Sequence, residues 1–349
     1  MFSPYPRIMG SSFFFFHKLE KILDMLKINI LSKVLFVFIA ILGFSGCGII
    51  TPKPIGCTPG PNNTHAFLAY SSVLSSGASE VFRVEFNNTL NTQVSHLIQG
   101  NLGSSLPTQV LIPTNILMIS DSGGKSPQGL YSIKFDGTGL TKIIPYNYQI
   151  VSAVWNQNLG NYIILYQDCS SCPASSNYKL GVYNFFSSTF KNIGNAYSHV
   201  DVSLDGKTLY FDYVGASLVP HIYSVQIDGT GLTQLTNSTY GEEYPAISPD
   251  GSTVAIASYM NSTHTEQEIC FMKPDGTNLH QITKLSSTTI AHQPCWSPLN
   301  DQIFFSCYDK LNPAIPSHIF SAGIDGSNIQ KFTSGNGETH PCAGFMNEF

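Results

Sequence analysis

The chain has 349 residues, with 17 Lys and Arg against 22 Asp and Glu, a formal charge of −5, and only 11% of its residues charged. No basic stripe runs along it, which excludes the electrostatic footprint of a nucleic-acid binder. The charge is also too weak to suggest disorder by self-repulsion, and 42% of residues are hydrophobic.

Residues 1–46 read as a signal region whose working start is expected at Met25. The segment MLKINILSK places Lys27 and Lys33 ahead of an apolar run from Val34 to Phe44. That run is too short to span a bilayer but suits a signal-peptide core. It ends in Phe44-Ser45-Gly46-Cys47, which resembles a bacterial lipobox, with Phe44 standing where that motif usually has Leu. Lipidation of Cys47 would anchor the chain to a membrane without spanning it. Residues 47–63, rich in Pro, Gly and Asn, then read as a flexible tether.

From residue 64 to 349 one pattern recurs, with no sustained helical periodicity. It is clearest from Ile222 to Tyr259, which reads as strand, Asp-Gly turn, strand, loop, strand, second Asp-Gly turn and strand. Asp-Gly supplies the positive-φ positions of a tight hairpin. The first turn appears at Asp136, Asp228, Asp275 and Asp325, with gaps of 228−136 = 92, 275−228 = 47 and 325−275 = 50. Since 92 is twice 46, a unit with degraded turn residues is expected between the first two. Val182 to Phe186 followed by Ser187-Ser188 fits it, and Val81 to Ile98 supplies a further copy upstream. The second turn recurs in VSLDGKTLYF, ISPDGSTVAI and WSPLNDQIFF, and more weakly in WNQNLGNYII.

A four-stranded antiparallel unit cannot bury both faces alone, and periods of this length mark radial or stacked architectures. The strand His65–Ser72 matches the end of a half-unit, and Thr339–Phe345 matches the strand that should precede it. Pairing them would close a ring and remove exposed sheet edges. An all-β, six-bladed β-propeller of four-stranded antiparallel blades is therefore expected over 64–349. YPAISPDGSTVAIAS and IYSVQIDGTGLTQLT closely resemble the TolB-like (PD40, WD40-like) propeller repeat. That resemblance implies a propeller that docks envelope partners, whereas TolB also carries an N-terminal α/β domain for which the short tether leaves no counterpart.

Candidate site residues follow from aligning the repeats on Pro245, Pro294 and Pro341. His199, Tyr244, Gln293 and His340 then share one position at the start of the innermost strand, with Ser152 and Leu106 in the weaker copies. His292, Glu242, Glu243 and Glu338 lie one or two residues earlier. Imidazoles, a carboxamide and carboxylates around an axis could hold a divalent metal, with His199, His340 and Gln293 the weak candidates. Oligogalacturonate lyases, which share related repeats, are similar in using channel His and Gln around a metal. Against this, His199 and His340 fall on opposite sides of the expected ring, and a polar channel with satisfied histidines is the simpler expectation.

The recurring aspartates each precede a turn and read as turn chemistry. Prolyl oligopeptidases carry similar repeats but act through an α/β-hydrolase domain with a G-x-S-x-G elbow, which is not present, so that chemistry is not expected. Beyond Cys47 seven cysteines remain. Cys169–Cys172 is a candidate local disulfide, and Cys295 and Cys342, at equivalent strand positions, a candidate inter-blade one. The reading is thus a monomeric, non-catalytic envelope lipoprotein that binds a protein or peptide partner. It needs no cofactor, contacts a membrane through its anchor and does not bind nucleic acid. The alternative is a carbohydrate-active or metal-dependent module using the central channel.

Overall fold

Runs of β-branched and aromatic residues punctuated by Gly, Pro and Asp turns give strands and, among the described residues, no helix. The computed structural model describes residues 64–73, 79–85, 93–96, 105–111, 115–120, 129–134, 138–145, 148–156, 159–168, 178–215, 219–312, 314–335 and 337–347. The chain divides into two compact units, Met1–Ile55 and Gly56–Phe349, and every described residue belongs to the second. The signal region, Cys47, the tether, the Asp136 turn, Cys57, Cys169, Cys172 and the side chains of Leu106 and Cys342 lie outside the described residues.

Among the described residues twenty-four strands follow one another. The first seven are β1 (Thr64–Val73), β2 (Ser79–Glu85), β3 (Gln93–His96), β4 (Ser105–Leu111), β5 (Asn115–Ser120), β6 (Gly129–Lys134) and β7 (Thr141–Lys142). Next come β8 (Tyr148–Asn156), β9 (Asn161–Asp168), β10 (Tyr178–Asn184), β11 (Thr189–Ala196), β12 (Val200–Val202), β13 (Thr208–Val214), β14 (Pro220–Gln226) and β15 (Thr233–Gln234). The last nine are β16 (Glu242–Ile247), β17 (Val254–Tyr259), β18 (Gln267–Met272), β19 (His280–Gln281), β20 (Thr289–Trp296), β21 (Gln302–Asp309), β22 (His318–Gly323), β23 (Gln330–Lys331) and β24 (Thr339–Asn347).

They form antiparallel sheets ordered β4-β5-β6-β7, β8-β9-β10-β11 and β12-β13-β14-β15. Strands β16 to β23 make two further four-stranded units, joined by a single parallel pair, Gln267 with Ile290. The remaining sheet, β24-β1-β2-β3, draws on both ends of the described chain. Thr64 pairs with Asn347, and the register runs on through Ala69 opposite Cys342.

The apolar core is distributed between neighbouring sheets rather than gathered at one centre. Ile269 and Phe271 of one sheet pack with Trp296, Ile303 and Phe305 of the next. Leu165 and Leu180 pack with Leu209 and Phe211, while Leu68, Tyr70 and Phe82 meet Phe304 and Ile319. Each sheet is apolar on both faces, as its uninterrupted buried strands such as Val254–Ser258 require. Tight turns knit the sheets together where side chains would not fit. A Cβ at Gly206 (φ 77°) would lie 2.4 Å from Asn156 Oδ1, and Asn156 Nδ2 donates instead to the Gly206 carbonyl at 2.7 Å.

One boundary differs from the sequence expectation. Phe185 and Phe186 leave the strand and form the turn with Ser187 and Ser188. Asn184 Oδ1 accepts from the Ser187 amide and hydroxyl, which closes the turn two residues early, and Ser188 takes φ 53°. Both rings are consequently exposed.

Candidate functional site

Strands β8, β12, β16, β20 and β24 are each the first of their sheet in the repeat, and one residue from each start converges on a common arc. The register puts His199, Tyr244, Gln293 and His340 at one position, directly before Val200, Pro245, Pro294 and Pro341. Tyr244, Gln293 and His340 adopt left-handed backbone conformations, with φ of 57°, 53° and 54°. The pairing ladder breaks there in β16 and β20, between Glu243 and Ala246 and between His292 and Cys295, so these are bulges. A left-handed tyrosine, glutamine or histidine ahead of a proline is costly, and such costs concentrate where the side chain must be aimed. Proline also removes the amide that the bulge would leave unpaired.

The arc is held by polar contacts that cross from sheet to sheet. Ser152 Oγ lies 3.4 Å from His199 Nδ1, and the His199 and Tyr244 ring centroids are 5.9 Å apart. Tyr244 and His292 follow at 5.8 Å, edge to face, and His292 meets Tyr308 at 5.4 Å. Gln293 Oε1 accepts from the His340 amide at 3.0 Å and from Ser306 Oγ at 2.9 Å, so its orientation is fixed. Its Nε2 must then donate to His340 Nε2, 2.7 Å away. His340 is therefore the neutral tautomer with its proton on Nδ1, donated to Thr339 Oγ1 at 2.9 Å. Burial, with the neighbouring His292 and His199, pushes the His340 pKa down to about 3. Burial lowers His292 to about 4, and His199 is lowered by the same cause.

Second strands supply the anchors. Asp212 is fully buried and accepts from Ser198 N, Ser198 Oγ and His199 N at 2.7, 2.6 and 2.9 Å. Its other bond, 3.1 Å from the Tyr244 amide, reaches the next sheet. Ser306 occupies the equivalent position and accepts from the His340 amide at 3.2 Å. Both residues thus hold the left-handed residue of the following sheet, a role that sequence inspection missed. Among the described residues, His292 Nδ1 of the arc is buried without a hydrogen-bond partner.

Beside the arc Glu243 is 7% exposed and accepts from Tyr259 Oη at 3.4 Å. Burial pushes its carboxyl up to about 7, and the Asp212 carboxylate adds to the rise. Burial and Glu243 together raise Tyr244 well above the usual phenol range, and they raise Tyr308 as well. The result is a mouth lined by neutral imidazoles, phenols and a carboxamide.

Glu242 and Glu338, expected near the same rim, engage the preceding sheet. Glu242 meets His221 Nδ1 and Thr236 Oγ1, both at 2.8 Å, while Glu338 meets His318 Nδ1 at 3.0 Å and Thr333 Oγ1. In the third copy the carboxylate moves: Glu268 stands where His221 and His318 stand, bonds Thr283, and Ala291 takes the Glu242 position. Each threonine also caps a strand amide, Ile222, Ile269 or Ile319. These are clasps between sheets.

Cys270 and Cys307 are buried free thiols, each pushed up to about 12 by burial. Cys295 Sγ donates to the Trp296 carbonyl at 3.6 Å. Among the described residues no three His, Cys, Asp or Glu side chains converge as a metal site, and Gln293 and His340 are bonded to one another.

Known proteins place this architecture. No protein-family model matches the chain. An uncharacterized protein of Agrobacterium fabrum is 28% identical over 114 residues, which is 31% of this chain and 39% of that protein's length. TolB from Acinetobacter baumannii superposes with a TM-score of 0.60 at 13% identity, over 80% of this chain and 66% of its own. A putative TolB from Agrobacterium tumefaciens gives 0.57 at 17% identity, covering 80% and 92%. Identities this low speak to fold alone, and the fold is a TolB-like β-propeller.

Proposed function

We propose that this is an exported envelope protein, lipid-anchored at Cys47, whose six-bladed closed propeller binds a protein or peptide partner at its axial mouth without catalysis. The observation that carries the binding role is the arc from Ser152 through His199, Tyr244 and His292 to Gln293 and His340. Three of its members are held in left-handed conformations, and side chains of five successive strands meet there. A rigid ring of neutral polar and aromatic groups suits the amide donors and apolar side chains of a peptide.

The closed ring is supported by succession. Strands β24, β4, β8, β12, β16 and β20 each touch the next, and β20 touches β24 again. Pairing of β1 with β24 spares both strands an open edge. The envelope location rests on the lipobox-like Phe44–Cys47 stretch and on the TolB-like fold.

The test is affinity capture from solubilised envelope with the full chain as bait, beside a His199→Ala/His340→Ala variant, with metal content read on both. A defined protein held by the native bait and lost by the variant is the expected result. Stoichiometric metal that disappears in the variant, with no protein retained, would overturn the scaffold reading in favour of a channel-based activity.

A further inference from the structure

The exposed apolar side chains are distributed very unevenly. Of eleven large hydrophobic residues exposed among the described ones, nine lie in connections between the first and second or third and fourth strands of a sheet. Only Leu311 and Ile315, between β21 and β22, lie at the other end with the mouth. In an antiparallel four-stranded sheet those two connections share one end. Successive sheets also align that end. Asn156 bonds Gly206, Leu204 lies against Gly251, and Asn300 Nδ2 donates to Asp250 Oδ2 at 3.0 Å, so these turns touch.

The turns present Leu159, Leu204 and Leu299 from the first connections. Phe185 and Phe186 stand beside Leu159, with Phe186 lying over Gly160 and 80% exposed. Scattered single leucines on a surface need no explanation, but a set gathered at one end of every fully described sheet points to an interaction surface.

The occupant follows from where the chain enters. Strand β24 begins at the mouth, where His340 meets Gln293, and ends at Asn347, opposite Thr64. Thr64 therefore lies at the turn end. The span from Cys47 reaches at most about 60 Å even when fully extended. We infer that the turn end rests on the lipid surface in which the N-terminal segment is anchored, its leucines and phenylalanines entering the headgroup–acyl boundary and the mouth facing away. The inference rests on the anchored reading given above. Turn carboxylates such as Asp205 and Asp228 are held below the usual carboxylate range by their own turn bonds, and lysines such as Lys191 and Lys207 share that end. With both signs present, the docking is apolar and does not require anionic lipid.

The test reconstitutes the full chain in phosphatidylcholine vesicles with and without bromine on the acyl chains. Phe186→Trp reports the turn end and Leu311→Trp the mouth end, each read after subtracting the signal of the native chain, whose Trp296 is buried and Trp155 half-buried. Quenching at least about two-fold greater at position 186 than at 311 is expected for side chains seated at the acyl boundary. Adding Leu204→Ser and Leu299→Ser to the Phe186→Trp chain should lower it again, and unchanged quenching would overturn a shared surface. Flotation with equal or absent quenching at the two positions overturns the docking but leaves the anchor. A chain that fails to float overturns both. A dimer in detergent, broken by the serine pair, would assign the face to a second copy and overturn the lipid.

Discussion

The two ends of the sheets are built on different principles. At the turn end, the bonds that shape each hairpin are local and repeat. Asp228, Asp275 and Asp325 each accept from the amide two residues on, and Thr230 and Thr277 add their hydroxyls. At the mouth end, contacts reach from sheet to sheet, from Asp212 to Tyr244, from Ser306 to His340 and from Gln293 to His340, and neighbouring sheets carry different side chains at the shared position. Repetition at one end preserves the hairpins, while diversity at the other gives neighbouring sheets different groups to present. A binding surface needs the second and a scaffold the first.

Breaking the mouth end should cost most. Asp212→Ala leaves four donors unmatched across two sheets and should destabilise the chain by about 4 kcal/mol, read by urea unfolding. An effect no larger than that of Asp228→Ala would show that the arc is not a buried network.

The clasps come next. Glu268→His alone strands Thr283 and should cost about 3 kcal/mol. Adding Ala291→Glu rebuilds the His–Glu–Thr arrangement present at Glu242 and Glu338 and should restore most of that loss. Failure to recover would refute the equivalence of the three clasps.

A smaller effect depends on pH. The Glu243 carboxyl is raised to about 7 in the folded chain, so its stabilising proton is fully present below the unfolded value of 4.5 and is lost as pH rises through 7. Glu243→Gln should therefore add about 2 kcal/mol at pH 8 and little at pH 4. The histidines run the other way. His292 and His340 are lowered to about 4 and about 3, so their stabilisation is present above 6.5 and lost as pH falls toward those values. Unfolding midpoints across pH 3 to 8 should show the glutamine variant gaining on the native chain as pH rises from 4.5 to 7, with the fall below pH 4.5 unchanged.

The smallest expected change is Asp228→Ala, which removes exposed turn bonds and should lower the thermal midpoint only slightly.

What the sequence revealed follows the same division. The Asp-Gly and Ser-Pro-Asp-Gly turns expose the repeat because their chemistry is local and needs fixed residue types. The shared position of His199, Tyr244, Gln293 and His340 was also legible, since the prolines mark it. The carboxylate clasps were not, because Glu242 serves Thr236 and His221 of another sheet. The trace that could have shown it is Glu268 standing in place of His221 and His318 in the one copy where Ala291 replaces Glu242 and Glu338. Asp212 and Ser306 were hidden likewise, since their common role is carried by different residue types. Phe185 and Phe186 read as strand because apolar periodicity says nothing of Asn184 closing the turn early.

The pairing of β1 with β24 has a consequence for how the molecule is made. During synthesis β1 can pair early with β2, yet its opposite edge stays open until β3 to β23 have all been made and β24 is released. Contacts of such sequence separation form late and slowly, and an unsatisfied strand edge is a template for pairing with another chain. A molecule whose β24 is delayed or clipped can complete its first sheet with the last strand of a neighbour. Strand exchange between copies is thus the characteristic misassembly of this architecture.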